Sequence, residues 1–230
     1  MFYGYGYYDP TFILLIPAMA FAFYAQTKIS STFNKFLRVR NSNGYTGYEI
    51  ARRILDANGL YNVPIEQTRG HLTDHYDPRT KVLRLSQEVY NGASLASAGV
   101  AAHECGHAIQ HSESYAPLTL RNTIAPIASI GSQASWFLII IALALGMMNL
   151  FTLGIYLFSA VVLFQIVTLP VEYNASKRAI IALEDYGLVG SGEVYGAKKV
   201  LSAAALTYVA ATLTAVLQLL RLLLIRGRRD

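Results

Sequence analysis

The chain has 230 residues, 53% of them hydrophobic and only 14% charged, with a net charge of +5. Ordinary soluble domains carry about 25% charged residues, so a plain water-soluble globule is the wrong class. The basic excess flanks apolar runs rather than interleaving with aromatics, which gives no nucleic-acid signature, and a single cysteine, Cys105, excludes an intrachain disulfide.

From the N-terminus, residues 1–10 (MFYGYGYYDP) hold four Tyr and no Lys or Arg. Polar-tipped rings suit the membrane interface, and the missing basic leader favours an uncleaved anchor over a signal peptide. Residues 11–25 carry no charge, and the Tyr-rich flank can lengthen that run. Residues 124–150, 151–171 and 200–220 are also uncharged, the last continuing past Arg221 to 225. A crossing helix needs about 20 apolar residues, so four membrane helices are expected, with a turn near 148–152. Lys28, Lys35, Arg38, Arg40 and Arg121 lie between the first and second runs, and Lys177, Arg178, Lys198 and Lys199 between the third and fourth. Basic residues mark the cytoplasmic side, which puts the N-terminus outside and the middle segment inside. Arg226, Arg228 and Arg229 oppose that assignment.

The middle segment, 28–121, is long enough for a globular unit. Residues 33–40 read as a short basic helix leaving the membrane. Thr46-Gly47-Tyr48-Glu49 has the form of a capping box, opening a helix through Ile50, Ile54 and Leu55 that Asn58-Gly59 closes. Residues 63–70 and 72–76 are strand-like, 77–80 (Asp-Pro-Arg-Thr) is a turn, and Val82, Leu83 and Leu85 form the next strand. Two strands across a tight turn suggest a hairpin. Its strand before the following helix is expected to offer an open edge to an extended peptide. Ser94 caps that helix, the alanine-rich 95–111.

This helix carries His103-Glu104-Cys105-Gly106-His107. Residues four apart share a helix face, so both imidazoles can reach one metal ion, while Glu104 stands where it can take a proton from a bound water. Cys105, roughly 200° round the helix from His103, cannot join both histidines and reads as small apolar filler. His111 lies about 12 Å along the helix from His103 and reads as a helix-end residue. A catalytic zinc needs a third protein ligand. Glu172 stands just past the third apolar run, with Ala175, Ser176 and Ala179 on its face to permit a close helix approach. Glu113, Glu184 and Asp77 remain competitors on spacing alone.

At these residues the chain resembles the YugP-type membrane zinc metallopeptidases. The likeness runs through TGYEIARRIL, NGLYNVPIE, LTDHYDP, VLRLS, AAHECGHAIQH, FQIVTLPVEYNASKRA and KKVLSAAALTYVAA. It implies a gluzincin-like site: His103, His107 and Glu172 on Zn²⁺, with Glu104 catalytic. His75, Tyr173 and Arg178 are candidates for stabilising the oxyanion. The expected architecture is an integral membrane, mainly α protein: four transmembrane helices plus a small zincin-like α+β catalytic unit with a β-hairpin. Its parts would be an anchor (1–27), a catalytic unit (28–121), a transmembrane hairpin (122–171), a third-ligand helix with its connecting segment (172–199) and a last transmembrane helix (200–230). The function implied is that of a zinc endopeptidase in a bacterial cell membrane, its site at the cytoplasmic face and its substrates membrane or membrane-adjacent polypeptides. Two alternatives stand beside it. An intramembrane-cleaving enzyme would want a late Asp, and none falls between Asp77 and Asp185. A scaffold with structural zinc would not want a free carboxylate beside the metal.

Overall fold

A 3₁₀ turn, Pro10–Leu14, leads directly into the first long helix, α1 (Leu15–Leu37). The computed structural model describes residues 10–228. The four leader tyrosines, and Arg229 among the opposing charges, lie outside the described residues. No Gly or Pro interrupts 18–37, and Phe33 is fully buried. The separate basic helix expected at 33–40 is therefore the end of α1 itself, which stops at Leu37.

Helix α2 (Gly47–Ala57) begins on the expected capping box: the Glu49 N–H donates to the Thr46 hydroxyl, and the Thr46 N–H donates to the Glu49 carboxylate. Three short strands follow, β1 (Ile65–Thr68), β2 (His75–Asp77) and β3 (Val82–Ser86), then a single turn of helix, α3 (Gln87–Tyr90). The hairpin is β2–β3, antiparallel, with Tyr76 opposite Leu83. Its turn is held by Asp77, which accepts from the Arg79 N–H and the Thr80 hydroxyl. The sheet order is β1-β3-β2, with β1 parallel to β3. This corrects the sequence reading of an open edge on β3. That strand is paired on both sides, and the free edge nearest the site belongs to β2.

Helix α4 (Leu95–Ser112) starts where the Ser94 hydroxyl accepts from the Ser97 N–H. Three long helices complete the chain: α5 (Ala116–Leu145), α6 (Met148–Asp185) and α7 (Val194–Gly227). Gly146, at φ +70°, makes the reversal between α5 and α6, so the turn sits before Met148 rather than at 148–152. The helix carrying the third apolar run continues through Pro170 to Asp185. Glu172 thus stands in the same continuous helix as the third apolar run, which the sequence reading divides at 171/172. The segments Pro10–Leu37, Ala116–Leu145, Met148–Asp185 and Val194–Gly227 are long and apolar enough to cross a membrane.

The chain divides into two compact units. One gathers the described residues up to Tyr24, Thr123–Ile166 and those from Val209 onward. Its core is built from Ile139, Phe151, Ile155, Phe158, Val162 and Leu222. Large apolar side chains such as Phe23, Ile130, Phe137 and Tyr156 point outward. Helices apolar on every side call for a lipid surround.

The other unit comprises Ala25–Asn122 and Val167–Tyr208. Here α2 sets Ile50, Ile54 and Leu55 in one core with Leu83, Leu85 and the alanines of α4. Cys105 is buried in that core, its Sγ 3.5 Å from the Ala51 carbonyl oxygen, as filler rather than ligand. Two glycines let the neighbouring helices touch α4. A Cβ on Gly99 would stand 3.3 Å from Ala197 of α7, and one on Gly106 only 2.6 Å from the Ala175 carbonyl oxygen of α6. The small residue inside the motif is what brings α6 to bonding range of the histidines.

Candidate metal centre

The site is built on α4 and completed by α6. Ala dominates the exposed-to-core faces of α4 and is the strongest helix former, so the helix persists although almost every side chain on it is buried. Its geometry delivers His103 and His107 to one face, ring centroids 4.8 Å apart. From α6 comes Glu172, only 4% exposed. Its Oε2 lies 3.2 Å from His103 Nε2 and 3.5 Å from His107 Nε2. One donor atom from each residue fits within a span of 4.8 Å.

Those distances carry information. A charge-assisted N–H···O⁻ bond runs at about 2.7–2.9 Å, and both separations exceed it. Two ligands on one tetrahedral zinc, with bonds near 2.1 Å, stand about 3.4 Å apart. Two of the three separations thus lie near ligand–ligand distances, and the donor set can hold a zinc ion.

The far sides of the rings agree. His103 Nδ1 lies 3.1 Å from the Ser176 hydroxyl. His107 Nδ1 lies 3.0 Å from Gln110 Oε1, while the amide of Gln110 donates to the Val171 carbonyl and to Asn174 Oδ1. With its NH₂ group committed, Gln110 can only accept from His107, which keeps the proton on Nδ1 and leaves Nε2 free toward the site. Partners of this kind orient ligating imidazoles. Arg121 donates to Glu172 Oε1 at 3.3 Å and balances its charge.

Glu104 faces the same space, 8% exposed, and its Oε2 accepts the Tyr76 N–H of β2 at 2.9 Å. Burial pushes its carboxyl up to about 7; the nearby Glu172 and Asp74 carboxylates add to the rise and His103 opposes it. A cavity of about 140 Å³ is lined by His75, Tyr76, Glu104, His107, Glu172 and Tyr208, among others. A second cavity, about 300 Å³, meets the site at His103, Glu104 and Tyr208 and is otherwise mostly apolar, with Ile29, Phe33 and Val100 in its wall.

The remaining sequence candidates divide. His75 lines the smaller cavity, its Nδ1 2.8 Å from the Thr73 carbonyl oxygen. Tyr173 is half exposed and lines neither cavity. Arg178 is turned away as well: it donates to Asn174 and, at 2.6 Å, to Glu113. That same pair occupies Glu113, a competitor for the third ligand, and Asp77 is spent on its turn. His111 ends α4 beside the Tyr76 hydroxyl, 2.9 Å away. Sequence reasoning missed Tyr208, whose hydroxyl bonds Glu172. A lone phenol in the otherwise uncharged 200–220 run was the available signal.

Residues 11–227 match the family described as "Putative neutral zinc metallopeptidase". The chain belongs to this family. It is also 52% identical over 212 residues to "Putative membrane protease YugP" of Bacillus subtilis (strain 168), an alignment covering 92% of this chain and 94% of that one. No solved structure matches. This member of the zinc metallopeptidase family is an integral membrane, mainly helical protein, with four apolar helices of crossing length and a three-stranded sheet among the described residues.

Proposed function

We propose that the chain is a membrane zinc endopeptidase of the gluzincin type, with His103, His107 and Glu172 as metal ligands and Glu104 as general base. One observation carries this reading: a single carboxylate oxygen of Glu172 lies at ligand–ligand separation from both Nε2 atoms. Zinc, when bound there, supplies Lewis acidity, lowering the pKa of water toward 7 and polarising the scissile carbonyl. Glu104 accepts the proton of the attacking water and delivers it to the leaving amine. The Tyr76 amide holds the Glu104 carboxylate in place for both transfers. Tyr208 and His75, both in the cavity wall, are the candidates for a donor to the developing oxyanion. The peptide would lie along the free edge of β2, with an apolar side chain in the larger cavity.

The catalytic unit on this reading is 28–121 together with the third-ligand segment 172–199. The spans before, between and after these parts hold it at the bilayer, which favours membrane or membrane-adjacent polypeptides as substrates. The basic residues that follow α1 and flank α6 and α7 favour the cytoplasmic face. A reporter fused after Asp230, active only outside the cell, should be active; an inactive one, with the same reporter active at residue 43, would reverse the orientation.

Metal removal tests the activity. Purified chain in detergent should contain about one zinc, cleave an unstructured peptide, lose cleavage on treatment with a chelator and regain it when zinc is returned. Cleavage that persists once the zinc has been stripped would end the proposal.

A further inference from the structure

Away from the metal, a groove of about 570 Å³ opens between the end of α1 and the start of α7. Two polar stripes face it. On α1, Lys28, Thr32 and Lys35 follow one another at four and three residues, one helix face. On α7, Tyr195, Lys199 and Ser202 do the same. Three lysines from two helices that lie far apart in sequence thus line one groove. None of the three forms an ion pair with a carboxylate among the described residues. Two rest against rings instead: Lys35 Nζ lies 5.6 Å from the Phe36 ring centre and Lys199 Nζ 5.0 Å from that of Tyr195.

The groove stands where two uncharged runs end. Lys28 is the first charge after the apolar stretch of α1, and Lys199 the last before the 200–220 run of α7. That is headgroup depth. Further along α7, Ala203 and Leu206 give the groove an apolar floor on the membrane side. Cations above, hydroxyls between and hydrocarbon below match one class of molecule. We propose that this groove binds the phosphate of an anionic phospholipid, with an acyl chain over Leu206. An inorganic phosphate shares the charge but gains nothing from the apolar floor, and a zwitterionic lipid presents an ammonium group that the lysines repel.

The test uses the full chain in detergent micelles and native mass spectrometry, with phosphatidylglycerol, phosphatidylcholine and inorganic phosphate as probes. Phosphatidylglycerol should bind one per chain in preference to phosphatidylcholine. The K28Q/K35Q/K199Q chain should lose on the order of 100-fold in that affinity, at about fivefold per lysine near the membrane surface. The K28R/K35R/K199R chain should keep most of it, which separates lost charge from lost fold. An R226Q/R228Q chain, altered at the other end of α7, should bind as the native chain does. Equal binding of the two lipids, an undiminished K28Q/K35Q/K199Q chain, an equal loss in R226Q/R228Q, or full displacement of the lipid by millimolar phosphate would each overturn the assignment.

Discussion

A Glu104→Gln chain is expected to retain its zinc and to lose peptide hydrolysis by 10²–10⁴-fold, on the order of what general base catalysis contributes. The amide is the size of the carboxylate it replaces. It can still accept the Tyr76 N–H, so the 2.9 Å contact that ties β2 to α4 survives. It cannot take a proton from water. In a site this buried, no solvent carboxylate can stand in. Zinc content by elemental analysis and cleavage of a labelled peptide, measured on the same preparation, separate the two roles. Activity within a few-fold of the native chain would remove Glu104 from the mechanism. A native chain that holds zinc without cleaving any peptide would instead favour a structural ion.

The second large effect is on the metal itself. Glu172→Gln should weaken zinc retention by on the order of 100-fold or more, since even the partners that orient a metal's ligands are worth 10–100-fold. Glutamine keeps the shape of a side chain packed between His103, His107 and Arg121, so the helices remain docked. It removes the negative charge, leaving two neutral imidazoles and an uncompensated guanidinium to face a dication. Competition with a fluorescent zinc chelator reads the loss directly. Glu113→Ala serves as the comparison, because Glu113 pairs with Arg178 at the surface and should hold its zinc. Should Glu113→Ala lose metal and activity while Glu172→Gln keeps both, the third ligand has been assigned to the wrong helix.

Much of this was legible in the sequence because the signals are local. The capping box at Thr46–Glu49 involves residues three apart, and the HECGH spacing is a property of a single helix. The spans follow from run length alone. Glu172 was singled out by its place past the third apolar run and the small residues on its face, with Glu113, Glu184 and Asp77 as rivals, and the likeness of whole blocks to a family then favoured it. Helix ends were misjudged where charge was taken as a boundary. Helices α1, α6 and α7 run on past their apolar stretches, because leaving hydrocarbon for water does not melt a helix that a core still holds. The parallel pairing of β1 with β3 was invisible. Strands of four and five residues joined across the chain leave no periodicity to read. Tyr208, Gln110 and Ser176 were missed for a related reason: each acts on a residue of another helix or on a ring, and nothing in its own neighbourhood says so.

Gly106 and Gln110 have a further consequence. The glycine admits α6 to touching distance of α4, and the glutamine fastens His107 to the carbonyl of Val171 and to Asn174. The two halves of the cluster are therefore made at different moments of synthesis and meet only by docking. A polypeptide halted before α6 owns a pair of imidazoles and no carboxylate to close the set. Sliding α6 by one turn would unseat Glu172 and untie His107 together. On the proposed reading, the ligand set is complete only once α6 has docked on α4.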